Sequence, residues 1–214
     1  MSTGPRRPHA EARAQAERLI ALLGGTFEGW TIAGSVRRQR PEVGDCEHVV
    51  VPKFVPRVTQ TMFGPVQEGE TNLLWERIDQ LVVAGAVSKA VYGHQSPDDP
   101  DEWTGPDTAA IRHRWGEKYR GVLFEGFKHE IFTATPANFG AILAIRTGPA
   151  EFSKHMVSVL KDGGIYRMQD GCVRYSRDGA IRSCGTEEEF FRMCNVPYMP
   201  PSMRDSYQPK RSAI

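Results

Sequence analysis

The sequence predicts an α+β (α/β) fold in which helices cover a mixed sheet and a small α/β subdomain follows. Residues 45–51 form a valine-rich run bounded by Pro52, and residues 127–132 form a second run of the kind that makes strands. Residues 9–23 are rich in alanine and leucine at helical spacing and end at Gly24-Gly25. Strands combined with amphipathic helices indicate a sheet packed under helices.

The remaining elements follow from the same signals along the chain. Apolar residues at helical spacing predict a second covering helix over residues 72–82, and residues 88–92 are a candidate strand. Residues 93–110 are acidic and nearly free of aliphatic side chains, which predicts a loop or insertion. The C-terminal patterns predict helices over residues 138–145 and 150–160, two short strands within residues 166–182, and a helix capped by Thr186 and Glu189.

Composition limits the class of protein. The 40% apolar content is ordinary for a globular core, and the chain has no run of apolar residues long enough to span a membrane. It also lacks an apolar signal-peptide core, so we expect a cytoplasmic protein without a membrane partner. The four cysteines lack paired short spacings, which argues against a zinc site. The net charge of +1 neither supports nor excludes a nucleic-acid partner.

Two acidic residues, Asp45 and Glu47, lie two positions apart on the first predicted strand, so both carboxylates leave the same face of the sheet. Such carboxylates repel each other unless a cation lies between them, and hard oxygen ligands suit Mg²⁺. The preceding loop, residues 34–44, offers two glycines, a serine hydroxyl and three arginines. Because glycine allows close backbone approach and arginine supplies fork-shaped charge, this loop suits a triphosphate.

Residues 34–47, with Gly34-Ser35, then Arg37-Arg38, then Asp45-x-Glu47, resemble the signature of the nucleotidyltransferase superfamily. The paired arginines make the run similar, more narrowly, to the family X DNA polymerases, the polymerase beta group. The resemblance extends over about residues 10–205 and implies a minimal member without the lyase domain. It implies a nucleotidyltransferase palm over residues 1–137 and a C-terminal nucleotide-selecting subdomain over residues 138–214.

Two further segments take part in the resemblance. On the strand of residues 127–132, alternation places Lys128, Glu130 and Phe132 on one face. In the family, a third carboxylate and a basic residue beside the primer end stand at the places of Glu130 and Lys128. The family also has a Thr-Gly turn that contacts the incoming sugar and base, which corresponds to Thr147-Gly148. Two aromatics usually precede that turn, and here Ile145 and Arg146 replace them.

The resemblance implies a role for each of these residues. Asp45 and Glu47 would bridge two Mg²⁺ ions, with Mn²⁺ as an expected substitute, and Glu130 would hold the ion that binds the attacking 3′-hydroxyl. The nucleotide would be held by the loop and by the turn, that is by Gly34, Ser35, Arg38, Gly44, Thr147 and Gly148. Arg37 ranks below Arg38 because adjacent residues rarely point the same way.

Basic residues alternate with Trp115 and Tyr119 in the segment of residues 112–120. This mixture suits a surface that follows a nucleic-acid backbone with aromatic stacking partners. Lys118, Arg120 and, by resemblance, Lys128 are therefore the candidate nucleic-acid-binding residues. A solvated β-hairpin is the alternative interpretation of the segment.

These observations predict DNA-directed nucleotidyl transfer, in which a monomer adds a dNTP to a primer 3′-hydroxyl, with gap filling in repair as one setting. The compact size is compatible with a phage or mobile-element origin. Two alternatives remain open. A nucleotidyltransferase with another acceptor, such as an RNA 3′ end, a small molecule or a protein hydroxyl, fits the near-neutral charge. A catalytically inactive nucleic-acid-binding relative fits the glutamates at positions where family X usually has aspartates.

Overall fold

The structure is a computed structural model that describes residues 6–90 and 114–207. Its centre is a five-stranded sheet whose strands lie side by side in the order β2 (Phe27–Ile32), β4 (Cys46–Pro52), β9 (Phe127–Thr133), β8 (Tyr119–Phe124) and β7 (Ser88–Lys89). The strands β4 and β9 are parallel, and the other neighbours are antiparallel. A mixed sheet with helices packed on it confirms the predicted α+β fold. The predicted loop of residues 93–110 lies outside the described residues.

The bounds of the elements agree with most of the predicted segments. The helices are α1 (His9–Leu22), α2 (Gly34–Arg37), α3 (Leu73–Val83), α4 (Phe139–Thr147), α5 (Ala150–Asp162) and α6 (Glu187–Met193), followed by a 3₁₀ helix (Pro201–Ser206). The strands are β1 (Arg7–Pro8), β2 (Phe27–Ile32), β3 (Glu42–Val43), β4 (Cys46–Pro52), β5 (Phe54–Thr61), β6 (Gly64–Asn72), β7 (Ser88–Lys89), β8 (Tyr119–Phe124), β9 (Phe127–Thr133), β10 (Tyr166–Gln169) and β11 (Cys172–Tyr175).

Two helices, α1 and α3, cover one face of the sheet. Leu19 of α1 and Ile78 of α3 pack in one buried cluster with Val50 of β4 and Ile131 of β9. Alternation along β4 and β9 directs the residues next to Val50 and Ile131 to the other face of the sheet. That other face contacts α4, since Leu143 packs in a buried cluster with Val49 of β4 and with Ala33 and Ala134. The predicted acidic residues therefore lie on the face opposite α1 and α3, which α4 contacts at Val49.

Strands β5 and β6 form a two-stranded ribbon that the sequence analysis did not predict. Every residue of β5 is exposed, and so are six of the nine residues of β6. The pairing passes through Pro56 and Pro65, which is compatible with strands whose outer edges have no described strand partner. Without a buried face, the ribbon lacks the clean alternation of apolar and polar residues from which strands are predicted.

The C-terminal elements have a buried cluster of their own. Phe152 and Met156 of α5 pack there with Val173 of β11 and with Phe190 and Phe191 of α6. The predicted capping box is confirmed, because Thr186 Oγ1 accepts from the Glu189 N–H and the Glu189 side chain accepts in return. The separate core agrees with a C-terminal subdomain, although the boundary at residue 137 stays a prediction. None of the described helices has the length and apolarity to cross a bilayer.

Arg120 is part of the core, an environment that does not favour its predicted role in binding nucleic acid. Its side chain is 7% exposed, and its guanidinium lies between the rings of Trp75 and Trp115, 4.7 Å from each ring centroid. Arg120 Nη1 also donates to Asp79 Oδ1 at 2.8 Å. Because the cation is enclosed by two aromatic faces and a carboxylate, it stabilises the fold and is buried away from a phosphate at the surface.

Two buried histidines lie on the helix-covered face, directly behind the acidic residues. Trp30 Nε1–H donates to His48 Nδ1 at 3.1 Å, so His48 carries its proton on Nε2 and donates it to His129 Nδ1 at 3.0 Å. His129 Nε2 is buried and has no hydrogen-bond partner among the described residues. Burial lowers the pKa of His48 well below its usual value, and burial together with Arg7 lowers that of His129 to about 4.

We expect this pair to make the protein sensitive to mild acid. The folded pKa of His129 lies below its unfolded value of 6.5, so its contribution to stability is complete above pH 6.5 and is lost as the pH falls towards 4. His129→Gln keeps an acceptor for His48 but does not ionise in this range. Between pH 7 and pH 5, the free energy of unfolding of the wild type should fall relative to the variant by about 2 kcal/mol. Urea denaturation of both proteins at the two pH values measures this difference. Parallel pH profiles of the free energy of unfolding would contradict the lowered pKa of His129.

Candidate active site

Three carboxylates meet at one end of the parallel strand pair, on the face that α1 and α3 leave open. Glu47 of β4 is directly opposite Glu130 of β9 in the register, so their backbones are about 5 Å apart. Asp45 immediately precedes β4 and lies on the same side as Glu47 by alternation. The predicted convergence of Asp45, Glu47 and Glu130 is therefore what the strand register produces.

Lys128 lies between two of these carboxylates. Its Nζ is 2.9 Å from Asp45 Oδ2 and 3.0 Å from Glu130 Oε1. Burial works to lower the pKa of Lys128, but the charges of Glu130 and Asp45 outweigh it and raise that pKa. The ammonium group therefore stays charged and offsets part of the repulsion within the cluster. Lys128 was predicted to bind nucleic acid, and the structure shows its amine bound to the carboxylates.

Glu47 is the carboxylate whose charge is least well compensated. Burial, and then the charges of Asp45 and Glu130, raise the pKa of Glu47 to about 8, and Arg146 and Arg38 lower it only in part. At neutral pH this carboxyl group therefore holds a proton for most of the time. A buried carboxylate with a raised pKa is a suitable ligand for a cation, because a cation supplies the positive charge that the site lacks.

Gly34 allows the Glu47 side chain to reach its position. The backbone of Gly34 has a φ of +60°, and a Cβ atom at this residue would lie 2.2 Å from Glu47 Oε2. The N–H of Ala33 donates to the Glu47 carbonyl at 2.7 Å, which fixes the distance between the two segments. Gly34 is thus required both for its backbone conformation and for the space that the carboxylate fills.

The donor set fits a divalent cation, although the present arrangement is not yet a coordination shell. Within residues 6–90 and 114–207, no group of three or more His, Cys, Asp or Glu side chains is placed as metal ligands. The reason is visible in the cluster itself, where the Lys128 amine occupies the space between Asp45 and Glu130. Three hard oxygen donors around an undercompensated charge match Mg²⁺ chemistry.

The two adjacent arginines both contact Thr147, but each also binds a different acidic residue. Arg37 Nη2 is 2.6 Å from Glu187 Oε2, and Arg37 Nη1 donates to Thr147 Oγ1 at 2.9 Å. Glu187 also accepts from the fully buried Arg204 at 2.8 Å. Burial opposes ionisation of Glu187, but its hydrogen bonds from Arg37 and Arg204 hold its pKa below the usual value. Arg37 therefore binds Thr147 at the end of α4 and Glu187 at the start of α6.

The Arg38 guanidinium donates hydrogen bonds to two acceptors. Its Nη1 donates to the Thr147 carbonyl at 2.7 Å, and its Nε donates to Asp205 Oδ1 at 3.0 Å. Asp205 also lies 3.6 Å from Arg40 Nε. The Arg38 charge lowers the pKa of Glu47, so its guanidinium lies within electrostatic range of that carboxylate. An incoming phosphate would compete with Asp205 for the same guanidinium.

The other predicted nucleotide-binding residues divide into two groups. Ser35 is half-buried at the start of α2, next to Gly34, and its hydroxyl makes no hydrogen bond to a described residue. Gly44 directly precedes Asp45. Thr147 and Gly148 end α4, where Thr147 is fully buried and a Cβ on Gly148 would lie 2.1 Å from the Phe152 ring. The Thr147-Gly148 turn is thus tightly packed, and Thr147 contacts both Arg37 of α2 and the adjoining Arg38.

Two residues near the site were not predicted from the sequence. Arg146 lies with its guanidinium carbon 3.8 Å from the centroid of the Phe132 ring, and its charge acts on Glu47. Asp205 reaches Arg38 and Arg40 from the C-terminal 3₁₀ helix. No sequence signal pointed to Asp205, because it is 167 residues away from Arg38 along the chain. The replacement of an aromatic by Arg146 was the available signal for that residue.

Comparison with known proteins adds no family assignment. No protein-family model matches the sequence, and no curated protein is significantly similar to it. The function must therefore be argued from the geometry of the carboxylates and arginines.

Replacing Glu47 by Gln should stabilise the protein at high pH. The folded pKa of about 8 exceeds the unfolded value of 4.5, so the wild type is favoured by this group at low pH and loses that support as the pH rises towards 8. At pH 9 without divalent cations, we expect the variant to have a free energy of unfolding about 2–4 kcal/mol above that of the wild type, and a much smaller difference at pH 5. Urea denaturation at both pH values tests this, and an equal difference at both would contradict it.

Replacing Gly34 by Ala should displace the Glu47 carboxylate, because the new Cβ and Oε2 cannot both remain. Gly85→Ala is the matched control, since Gly85 has a φ of +73° and open space around its Cβ position. We expect both variants to lose about 1 kcal/mol from backbone strain. Only Gly34→Ala should also lose the thermal stabilisation that added Mg²⁺ gives the wild type. Differential scanning fluorimetry with and without Mg²⁺ measures both effects. If Mg²⁺ stabilised both variants equally, the proposed dependence of the Glu47 position on Gly34 would be contradicted.

Proposed function

We propose that this protein is a nucleotidyltransferase that adds a nucleotide from a triphosphate to the 3′-hydroxyl of a DNA primer. The observation that carries this proposal is the convergence of Asp45, Glu47 and Glu130 beside Arg38 on one sheet face. We further propose an intracellular monomer that acts on a primer–template or gapped duplex. The similarity of residues 34–47 to family X DNA polymerases supports the choice of reaction.

The carboxylate cluster would hold Mg²⁺, or Mn²⁺ in its place, through Asp45, Glu47 and Glu130. Bound there, divalent ions would supply charge stabilisation for the phosphates and acidify the attacking hydroxyl. Glu47 would give up its proton on cation binding, since its raised pKa reflects the unbalanced negative charge of the cluster. Lys128 would leave its position between Asp45 and Glu130, and its amine would then be available to the acceptor strand.

The arginines and the Thr147-Gly148 turn would position the triphosphate. Arg38 presents a guanidinium that is held in place by the Thr147 carbonyl and by Asp205. Phosphate oxygens accept from such a fork in two parallel hydrogen bonds, which fixes orientation as well as charge. Ser35 and the backbone at Gly44 would add hydrogen bonds at the start of α2 and of β4. Arg37 would act on the nucleotide indirectly, by fixing Thr147 through its hydroxyl.

A second candidate uses the same chemistry on an acceptor other than DNA. One observation favours it, because Arg120 is enclosed in the core and cannot contribute to a DNA surface. Lys118 remains exposed at the start of β8, but its Nζ donates to the Asp170 carbonyl at 3.2 Å. The cationic surface that the sequence predicted for a duplex is therefore smaller than expected.

The proposal is tested by extension of a labelled primer on a one-nucleotide-gapped duplex with Mg²⁺ and each dNTP. We expect template-matched addition, and we expect Asp45→Asn to lower its rate on the order of a thousandfold, since the charge stabilisation lost is several kcal/mol. Asp162→Asn, at the end of α5, is the control that should keep the wild-type rate.

Two outcomes would redirect the proposal. If triphosphate binds in the presence of Mg²⁺ but no primer is extended, the acceptor is a different molecule. If neither binding nor extension occurs, the carboxylates do not serve nucleotidyl transfer.

A further inference from the structure

The strands β10 and β11 form a hairpin with one buried face and one outer face. Met168 and Val173 pack into the C-terminal core. Alternation and register place Arg167, Gln169, Cys172 and Arg174 together on the opposite side, which we call the arginine face. Arg167 and Arg174 are direct partners in the antiparallel register. Two like charges directly opposite each other destabilise a pair of strands, so the pairing of these two arginines is itself unfavourable to the hairpin.

The two arginines are held close to one another at a turn. Arg174 Nη1 donates to the Gly179 carbonyl at 2.8 Å, and Arg167 Nη2 lies 3.6 Å from the position that a Cβ on Gly179 would take. Arg167 is exposed and makes no hydrogen bond or ion pair to a described residue. Arg174 Nε is buried without a hydrogen-bond partner among the described residues. The donors at this turn thus exceed the acceptors that the described chain offers them.

Nearby acidic residues neutralise this charge only in part. Asp170 Oδ2 is 3.9 Å from Arg174 Nη2, at the outer limit of an ion pair. Asp178 is engaged by Arg177 and by the Ala180 N–H. Two guanidinium forks that both lie at the Gly179 turn can bind one phosphate or two neighbouring phosphates of a strand.

The turn of the hairpin is anchored to the sheet that carries the carboxylates. Lys118 Nζ donates to the Asp170 carbonyl at 3.2 Å, and Asn138 Nδ2 donates to the Gly171 carbonyl at 3.0 Å. These contacts bring a further cation, Lys118, to the end of the arginine face. The hairpin that carries Arg167 and Arg174 therefore meets Lys118 at its turn.

We propose that the arginine face binds the backbone phosphates of the nucleic-acid strand on which the enzyme acts. This inference rests on the proposed function for the identity of the partner. It assigns the binding role to Arg167 and Arg174, in place of the buried Arg120. Because the contacts are to phosphate, they position the strand and carry no base sequence preference.

The test is the salt dependence of binding, measured by fluorescence anisotropy with a labelled one-nucleotide-gapped DNA duplex in EDTA and without triphosphate. For Arg167→Gln/Arg174→Gln, we expect the slope of log K against log salt concentration to decrease by about 1–2, with roughly three- to thirtyfold weaker binding. Arg167→Gln alone should lower the slope by about half as much. This single variant also controls for misfolding, because the Arg167 side chain has no described hydrogen-bond or ion-pair partner to lose.

Arg192→Gln is the matched control, since Arg192 is an exposed arginine on α6 in the same subdomain. It should leave affinity and slope unchanged. A double variant that binds like the wild type, or a control that loses as much as the double variant, would overturn the inference. Poly-glutamate that displaces the duplex as well as an unlabelled duplex does would also overturn it, and an RNA duplex of the same sequence shows whether the sugar matters.

Binding and primer extension separate this inference from the proposed function. Extension by the wild type together with unchanged duplex binding by the double variant would refute the arginine face alone. Hairpin-dependent binding without extension would refute the nucleotidyl transfer and support the arginine face.

Discussion

The parallel pairing of β4 with β9 sets Glu47 opposite Glu130, and the rest of the site is arranged around that unfavourable contact. Two carboxylates about one strand spacing apart repel strongly when partly buried, and Asp45 adds a third charge. The fold compensates in three ways. Lys128 binds two of the carboxylates, Glu47 retains a proton, and Arg38 and Arg146 lie close enough to act on it. An arrangement that costs stability in this manner is typical of a site built for a cationic ligand.

A second set of contacts connects this site to the C-terminal elements. Glu187 accepts from Arg37 on α2 and from Arg204 on the 3₁₀ helix, and Asp205 accepts from Arg38. The short α2 helix therefore contacts the strand of Glu47 through Gly34, and it contacts the C-terminal elements through Arg37 and the adjoining Arg38. A shift of the C-terminal elements would move Arg37 and Arg38, and with them the place where a triphosphate would be held.

Local patterns were sufficient for most of the fold and for the acidic pair, but not for long-range packing. The two-residue period places Asp45 and Glu47 on one face without knowledge of any other strand. The position of Glu130 depends on the register between β4 and β9, which only the family resemblance supplied. The burial of Arg120 could not be predicted, because Trp75 and Asp79 on α3 contribute to it and are far away in the sequence. The β5–β6 ribbon was missed because an element without a buried face leaves little hydrophobic pattern.

The β5–β6 ribbon also bears on how this chain can change during evolution. It leaves the sheet at the carboxyl end of β4, whereas the carboxylates lie at the amino end, so the seven residues of the strand separate the two by about 20 Å. Its turn, at Met62 and Phe63, is 90% and 92% exposed. Insertions and deletions at such a turn leave the register of β4 and β9 intact. Length variation among descendants of this sequence should therefore accumulate there, and the same turn is a suitable point for a genetically fused reporter.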